Sequence, residues 1–203
     1  MLTQQAGTYT CTWVTTANAL RQTGQRFFVS IEQLAQVAGV DLSAIATSGG
    51  TTVEQISKLL QGLRNTGVAI EAVNAPSSEV SALVDLLNAR SGGALAFAIE
   101  YQSGGRTLGH QMFATYGTLS GLSITDTTGQ LIRSLKALGN AYPNASLIPG
   151  SLFFLRNTAI IGGAQNAARA GGLGHLIVEL LPLALKSAEG HRSQEGLTKP
   201  NRK

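Results

Sequence analysis

The chain contains a single cysteine, Cys11, close to its beginning. A histidine, His110, follows Gly109 at the start of a strand-like run, and Asp126 comes one predicted turn later. A lone cysteine with a downstream histidine and a carboxylate is typical of thiol catalysis. In that chemistry the thiolate attacks, the imidazole moves the proton and the carboxylate orients the imidazole. Cys11, His110 and Asp126 are therefore the candidate catalytic residues.

Each of these residues also has a structural interpretation. A single cysteine often serves as a small buried apolar residue. His110 can be an ordinary strand histidine, and Asp126 can form a turn because its side chain accepts hydrogen bonds from nearby backbone amides. The order of the three residues along the chain favours the catalytic interpretation.

The segment after Cys11 has the pattern of a helix. Residues 11–20 contain no proline or glycine, and Val14, Ala17 and Leu20 recur at helical spacing. Cys11 is therefore expected at a helix N-terminus, where free backbone amides and the helix dipole favour an anion. An imidazolium at His110 would favour the thiolate in the same way.

The remaining sequence predicts a helical first half and a strand-rich second half, which is the order of an α+β fold. Capping-box patterns at Ser30-Ile31-Glu32-Gln33 and Thr51-Thr52-Val53-Glu54 predict two helix starts. From about residue 93 the apolar residues recur with the period of strands. The predicted helices cover 11–20, 30–39, 51–66, 76–87 and 131–138, and the predicted strands cover 68–73, 95–101, 110–116, 122–126 and 151–155.

Composition indicates one globular domain followed by a tail. The chain has 203 residues, of which 43% are hydrophobic and 13% are charged. Residues 159–203 are predicted to form a Gly/Ala linker, an apolar helix and a basic polar end. One cysteine excludes an internal disulfide, and three histidines make a structural zinc site unexpected. No metal or cofactor is predicted.

The charge pattern and the absence of a targeting segment restrict the expected partners. Five basic and two acidic residues lie beyond residue 185, so most of the net charge of +4 belongs to the tail. Nucleic-acid binding is therefore not expected. No signal-peptide pattern is present, so we expect a cytoplasmic protein or one that is delivered without a classical signal. The apolar run 173–185 is too short to span a bilayer. Membrane contact by this run is not expected, although the sequence leaves it open.

Several of these features together resemble papain-like cysteine peptidases over about residues 3–156. Gln5 precedes Cys11 by six positions, Gly109-His110 opens a strand, and Asp126-Thr127-Thr128-Gly129 forms the aspartate turn. The segment Gly50-Thr51-Thr52-Val53-Glu54-Gln55-Ile56 matches a further motif of the double-glycine-leader peptidase domains found on bacteriocin exporters and of their stand-alone relatives. Papain-fold toxin domains share the aspartate turn.

The resemblance implies a papain-like α+β domain over residues 1–158, with the nucleophile helix packed on an antiparallel sheet. It assigns Cys11 as nucleophile, His110 as general base and acid, Asp126 as the residue that orients the imidazole, and Gln5 as the side-chain oxyanion donor. Two positions depart from the family pattern. Thr12 replaces the glycine that usually follows the cysteine, and Thr127 replaces the proline that usually follows the aspartate. Both departures concern the shape of the cleft and therefore the substrate.

Three functions follow from these observations. The first is a cysteine peptidase that cleaves a peptide or protein through an acyl-enzyme. The second is a papain-fold effector or toxin domain that deamidates glutamine, transfers acyl groups or attacks another component of a target cell, with an immunity or inhibitor protein as its partner. The third is a non-catalytic module that binds peptides.

Overall fold

The computed structural model describes residues 1–4, 9–25, 30–90, 92–117 and 119–157. The linker, apolar helix and basic tail that the sequence predicts for 159–203 lie outside these residues. In the described part of the chain, no helix is long and apolar enough to cross a membrane. The helices are α1 (Cys11–Gln22), α2 (Ile31–Ala38), α3 (Leu42–Ser48), α4 (Val53–Asn65), α5 (Ala82–Asn88) and α6 (Leu135–Ala141). The strands are β1 (Ile70–Ala72), β2 (Gly93–Ser103), β3 (Arg106–Gly117), β4 (Gly121–Thr125), β5 (Leu131–Ile132), β6 (Ser146–Leu147) and β7 (Phe153–Arg156).

The strands form one antiparallel sheet in the order β1-β7-β2-β3-β4-β5, with β6 paired to β2. The long β2–β3 hairpin lies at its centre, and it pairs His110 with Ile99 and Gln111 with Ala98. The α+β class that the sequence predicts is confirmed for the described residues.

Alternate residues of the central strands belong to two apolar clusters, as the two-residue period of a strand requires. Ala96 and Phe113 pack with residues of α1, α2 and α4, whereas Phe97 and Met112 pack with residues of α5 and α6. Helices therefore cover both faces of the sheet. Because burying one large apolar side chain stabilises a fold by about 1.5–3 kcal/mol, these clusters hold the sheet in place between the helices.

The second predicted capping box is displaced by one residue. The first is confirmed, since Ser30 and Gln33 cap α2 reciprocally. In α4, however, the box joins Thr52 to Gln55, because the Thr51 hydroxyl already accepts a hydrogen bond of 3.1 Å from the indole N–H of Trp13.

Two further predicted helices begin later in the structure than their sequence patterns indicate. The helix predicted for 76–87 begins only at Ala82, because Glu79 forms an isolated bridge with Ser146 and the Ser78 carbonyl accepts from the Leu147 N–H. The prediction of a helix over 131–138 is wrong at its start, where β5 pairs with β4 and α6 begins at Leu135.

The packing of α4 against α2 depends on Gly62. A Cβ atom at this position would overlap the backbone carbonyl of Val37. Gly62→Ala is therefore expected to destabilise the protein by about 1–3 kcal/mol, although alanine is the better helix former. The measurement is the free energy of unfolding from denaturant titration.

Gly139 in α6 provides a matched control, because a Cβ atom there would meet nothing within 4 Å. Gly139→Ala should stabilise the protein by roughly 0.5–1 kcal/mol through helix propensity alone. Equal effects of the two substitutions would contradict the close approach of α2 and α4.

Candidate active site

Cys11 is the first residue of α1, as the sequence predicts. Most residues of this helix are buried. Trp13 is fully buried, and its indole N–H donates a hydrogen bond to the Thr51 hydroxyl. No acidic residue lies in the first turn, and Thr10 makes no side-chain cap. The positive end of the helix dipole lies at Cys11, the first residue of the helix.

Gln111 connects α1 to the strand that carries His110. The Thr12 hydroxyl donates to Gln111 Oε1 at 3.4 Å, and the Thr15 hydroxyl donates to the Gln111 carbonyl at 2.9 Å. Gln111 Nε2 in turn donates to the Ser151 carbonyl at 3.4 Å. Since the Gln111 side chain is almost completely buried, these bonds satisfy polar groups that water does not reach. They hold the first turns of α1, which begins with Cys11, against β3.

The protonation state of Cys11 differs from the sequence expectation. Burial raises the pKa of the thiol, and this effect exceeds the opposing contributions of the backbone at Gln111, Thr12 and Cys11 and of the Thr12 side chain. The resting thiol therefore holds its proton at neutral pH. A helix N-terminus does not by itself overcome the desolvation of this sulfur.

His110 is well suited to accept that proton. It lies on β3 opposite Ile99 and is partly buried. Burial lowers the pKa of His110, while the negative charge of Asp126 raises it by a smaller amount. The imidazole is therefore neutral at pH 7, and a neutral imidazole can act as a general base.

Asp126 is buried and forms the turn after β4. Its Oδ1 atom accepts from the Thr128 N–H at 2.8 Å, the Thr128 hydroxyl at 2.7 Å and the Gln130 N–H at 2.9 Å. Its Oδ2 atom accepts from the Tyr142 hydroxyl at 3.3 Å. Among the described residues, no hydrogen bond or ion pair joins Asp126 to His110. The charge of Asp126 acts on the imidazole, and the ring of Tyr142 stacks on His110.

Cys11 and His110 line the same cavity, which has a volume of about 240 Å³. Gln111, Tyr9 and Gln4 also line it, and none of the described lining residues is aspartate, glutamate, lysine or arginine. The other lining residues are Thr12, Gly49, Gly50, Thr51, Val53, Ile56, Ala98, Gly109, Ile148 and Ser151. A larger cavity of about 560 Å³ is lined in its described part by no cysteine or histidine.

The predicted oxyanion donor, Gln5, lies outside the described residues. The preceding residue, Gln4, lines the cavity and is tied to the aspartate turn. The Gln4 N–H donates to the Thr127 carbonyl at 2.9 Å, and the Thr127 hydroxyl donates to Gln4 Oε1 at 3.1 Å. The turn that Asp126 forms therefore also holds Gln4.

The sequence predicts Cys11, His110 and Asp126 as site residues but does not predict Gln111 or Tyr142. Gln111 has a weak signal in the sequence, because it is a polar residue between His110 and the apolar pair Met112-Phe113 in a central strand. Tyr142 has none, since it lies in a separate segment after α6 and reaches the site only through the fold.

The arrangement can perform nucleophilic chemistry on a carbonyl group. A neutral thiol and a neutral imidazole line one cavity, and backbone N–H groups stabilise the sulfur once it loses its proton. Among the described residues, Cys11 and His110 are not hydrogen-bonded to each other. Such catalytic bonds are often formed only when a substrate is bound.

Comparison with protein-family models finds none that matches the chain, and comparison with curated proteins finds no match either. What the chain does must therefore be inferred from the residues that line the cavity.

The Thr12 hydroxyl is expected to control the acidity of Cys11. Because the Thr12 side chain lowers the pKa of the thiol, Thr12→Val should raise that pKa further. The measurement is the rate of Cys11 alkylation by iodoacetamide as a function of pH, which is unambiguous because the chain has one cysteine.

Thr47→Val is the matched control, since Thr47 is exposed in α3 and its hydroxyl donates to the Ser43 carbonyl. The midpoint of the pH profile should rise in Thr12→Val and stay constant in Thr47→Val. A midpoint that is unchanged or lower in Thr12→Val would contradict the assigned contact.

Proposed function

We propose that the protein is a cysteine peptidase, a thiol hydrolase that cleaves a peptide or protein substrate through an acyl-enzyme. One observation carries this proposal. Cys11 begins a helix and lines the same cavity as His110. A nucleophile and a base that share a cavity are the minimum set for acyl transfer.

In the first step, His110 accepts the proton of Cys11 and the thiolate attacks the substrate carbonyl carbon. The tetrahedral oxyanion is then stabilised by the Cys11 backbone amide at the start of α1, where the helix dipole is positive. Gln5 remains the predicted second donor. The C–N bond breaks as His110 returns the proton to the amine, and water subsequently hydrolyses the thioester with His110 again as base.

The fold is consistent with the papain-like interpretation that the sequence resemblance suggested. The cysteine helix packs on an antiparallel sheet, and the histidine lies on a central strand of that sheet, followed by the aspartate turn one hairpin later. The two departures from the family pattern both make contacts here. Thr12 bonds to Gln111, and Thr127 bonds to Gln4.

The cavity favours an uncharged segment of substrate. Part of its wall is apolar and is formed by Val53, Ile56 and Ile148. None of the described lining side chains carries a permanent charge. An acidic or basic substrate side chain would lose hydration there without gaining an ion pair, which is costly.

The direct test is mass spectrometry of proteome peptides incubated with wild type and with Cys11→Ala. We expect peptide cuts in the wild-type reaction alone, because only that protein has the nucleophile. Deamidation leaves the peptide uncut with a slightly greater mass, and acyl transfer adds the mass of the transferred group, so the three chemistries give different products. Cuts that persist in Cys11→Ala would contradict the proposal.

His110 should determine the acidic limb of the pH profile. The protonated imidazole cannot accept the Cys11 proton, so kcat/KM rises with pH through the His110 pKa, which burial holds below its usual 6.5. His110→Ala should lower kcat by about 10²–10⁴-fold, the usual contribution of a general acid–base residue, and should remove this limb. A limb that survives in His110→Ala would assign the base to another residue.

A further inference from the structure

Tyr142 contacts both members of the predicted His110–Asp126 pair. Its ring stacks on the His110 imidazole with centroids 5.4 Å apart and planes 25° from parallel. Its hydroxyl donates to Asp126 Oδ2 at 3.3 Å. Neither the sequence motifs nor the general chemistry of a cysteine–histidine pair requires a tyrosine at this position.

The two oxygens of the Asp126 carboxylate have different hydrogen-bond partners. Oδ1 is occupied by the three donors of its own turn, from Thr128 and Gln130. Oδ2 is the oxygen that remains to act on the imidazole, and in the described residues its side-chain partner is Tyr142. The phenol therefore takes the place that an imidazole N–H would take in a direct histidine–aspartate bond.

Tyr142 is itself held firmly. Tyr101 on β2 contacts it edge to face, with centroids 4.9 Å apart and planes at 84°. The Tyr142 backbone N–H donates to the Leu138 carbonyl at 2.8 Å, and the next residue, Pro143, accepts from the Gln102 N–H at 3.1 Å. Burial, the charge of Asp126 and the hydrogen bond raise the pKa of Tyr142, so the hydroxyl stays a donor at physiological pH.

We propose that Tyr142 is a positioning residue that couples Asp126 to His110. Its ring fixes the plane of the imidazole, while its hydroxyl holds the carboxylate oxygen that would otherwise bond to the imidazole directly. This inference rests on the proposed function, in which His110 is the base, and it changes how Asp126 acts on that base. The groups that face His110 are Asp126 from the turn after β4, Tyr142 after α6 and Cys11 across the cavity.

Two substitutions separate the ring from the hydroxyl. Tyr142→Phe keeps the stacked ring but removes the donor to Asp126 Oδ2. The carboxylate charge is then less compensated, and Oδ2 is free to accept from the imidazole, so the pKa of His110 rises. Tyr142→Leu removes both contacts, and the imidazole also loses the surface that fixes its plane.

The experiment is an NMR titration of the whole 203-residue chain with ¹⁵N-labelled histidine, in which the His110 signals are assigned by their loss in His110→Gln. The ¹⁵N shifts give the pKa of His110 and the nitrogen that carries its proton. The control is Tyr116→Phe, because Tyr116 is an exposed tyrosine on the same strand as His110. Cleavage of a substrate peptide found by the mass-spectrometric test is measured in parallel over the same pH range.

We expect the pKa of His110 to rise in Tyr142→Phe and to stay at the wild-type value in Tyr116→Phe, with the acidic limb of cleavage moving to higher pH by the same amount. In Tyr142→Leu we also expect a changed protonation pattern of the imidazole nitrogens and a loss of about tenfold or more in kcat, since a misplaced base transfers protons poorly. An unchanged His110 pKa in Tyr142→Phe overturns the coupling, whether or not Tyr142→Leu folds.

The two proposals fail separately. If the His110 pKa moves in Tyr142→Phe but no variant shows Cys11-dependent cleavage, the coupling stands and the peptidase proposal fails. If cleavage occurs and the His110 pKa does not move, the peptidase proposal stands and Tyr142 only fills space beside the imidazole.

Discussion

The site depends on the way α1 is docked on β3 through one buried glutamine. Gln111 accepts from Thr12 and Thr15, donates to the Ser151 carbonyl, and lines the same cavity as Cys11. A shift of the helix along the strand would break several of these bonds inside the protein, where lost partners cannot be replaced by water. The helix therefore has one favourable position on the strand, and in that position Cys11 and His110 line the same cavity.

Burial favours the uncharged form of both Cys11 and His110. It raises the pKa of Cys11 and lowers the pKa of His110, so the resting pair is uncharged. An uncharged thiol is a poor nucleophile and also a poor target for oxidants. Burial in the cavity therefore keeps the sulfur protonated in the resting protein.

The sequence predicted the parts of the molecule that local patterns determine. The helix that begins at Cys11, the β2–β3 hairpin and the first capping box all follow from residue spacing, and the structure contains them. The differences come from contacts between distant residues. The Thr51 hydroxyl accepts a hydrogen bond from Trp13 instead of capping α4, and Glu79 pairs with Ser146 instead of entering α5. Both α4 and α5 therefore begin later than their sequence patterns indicate. Tyr142 reaches His110 only because α6 folds back over the hairpin, which no spacing in the sequence encodes.

The turn at Asp126 has a consequence for how a site of this kind can be lost. Three donors on Oδ1 hold the turn, and Thr127 within it holds Gln4. An acceptor is therefore needed at this position to keep the turn and Gln4 in place, whatever chemistry Cys11 and His110 perform. Replacing either of those two residues would remove that chemistry and leave the turn intact, because the turn does not depend on their side chains.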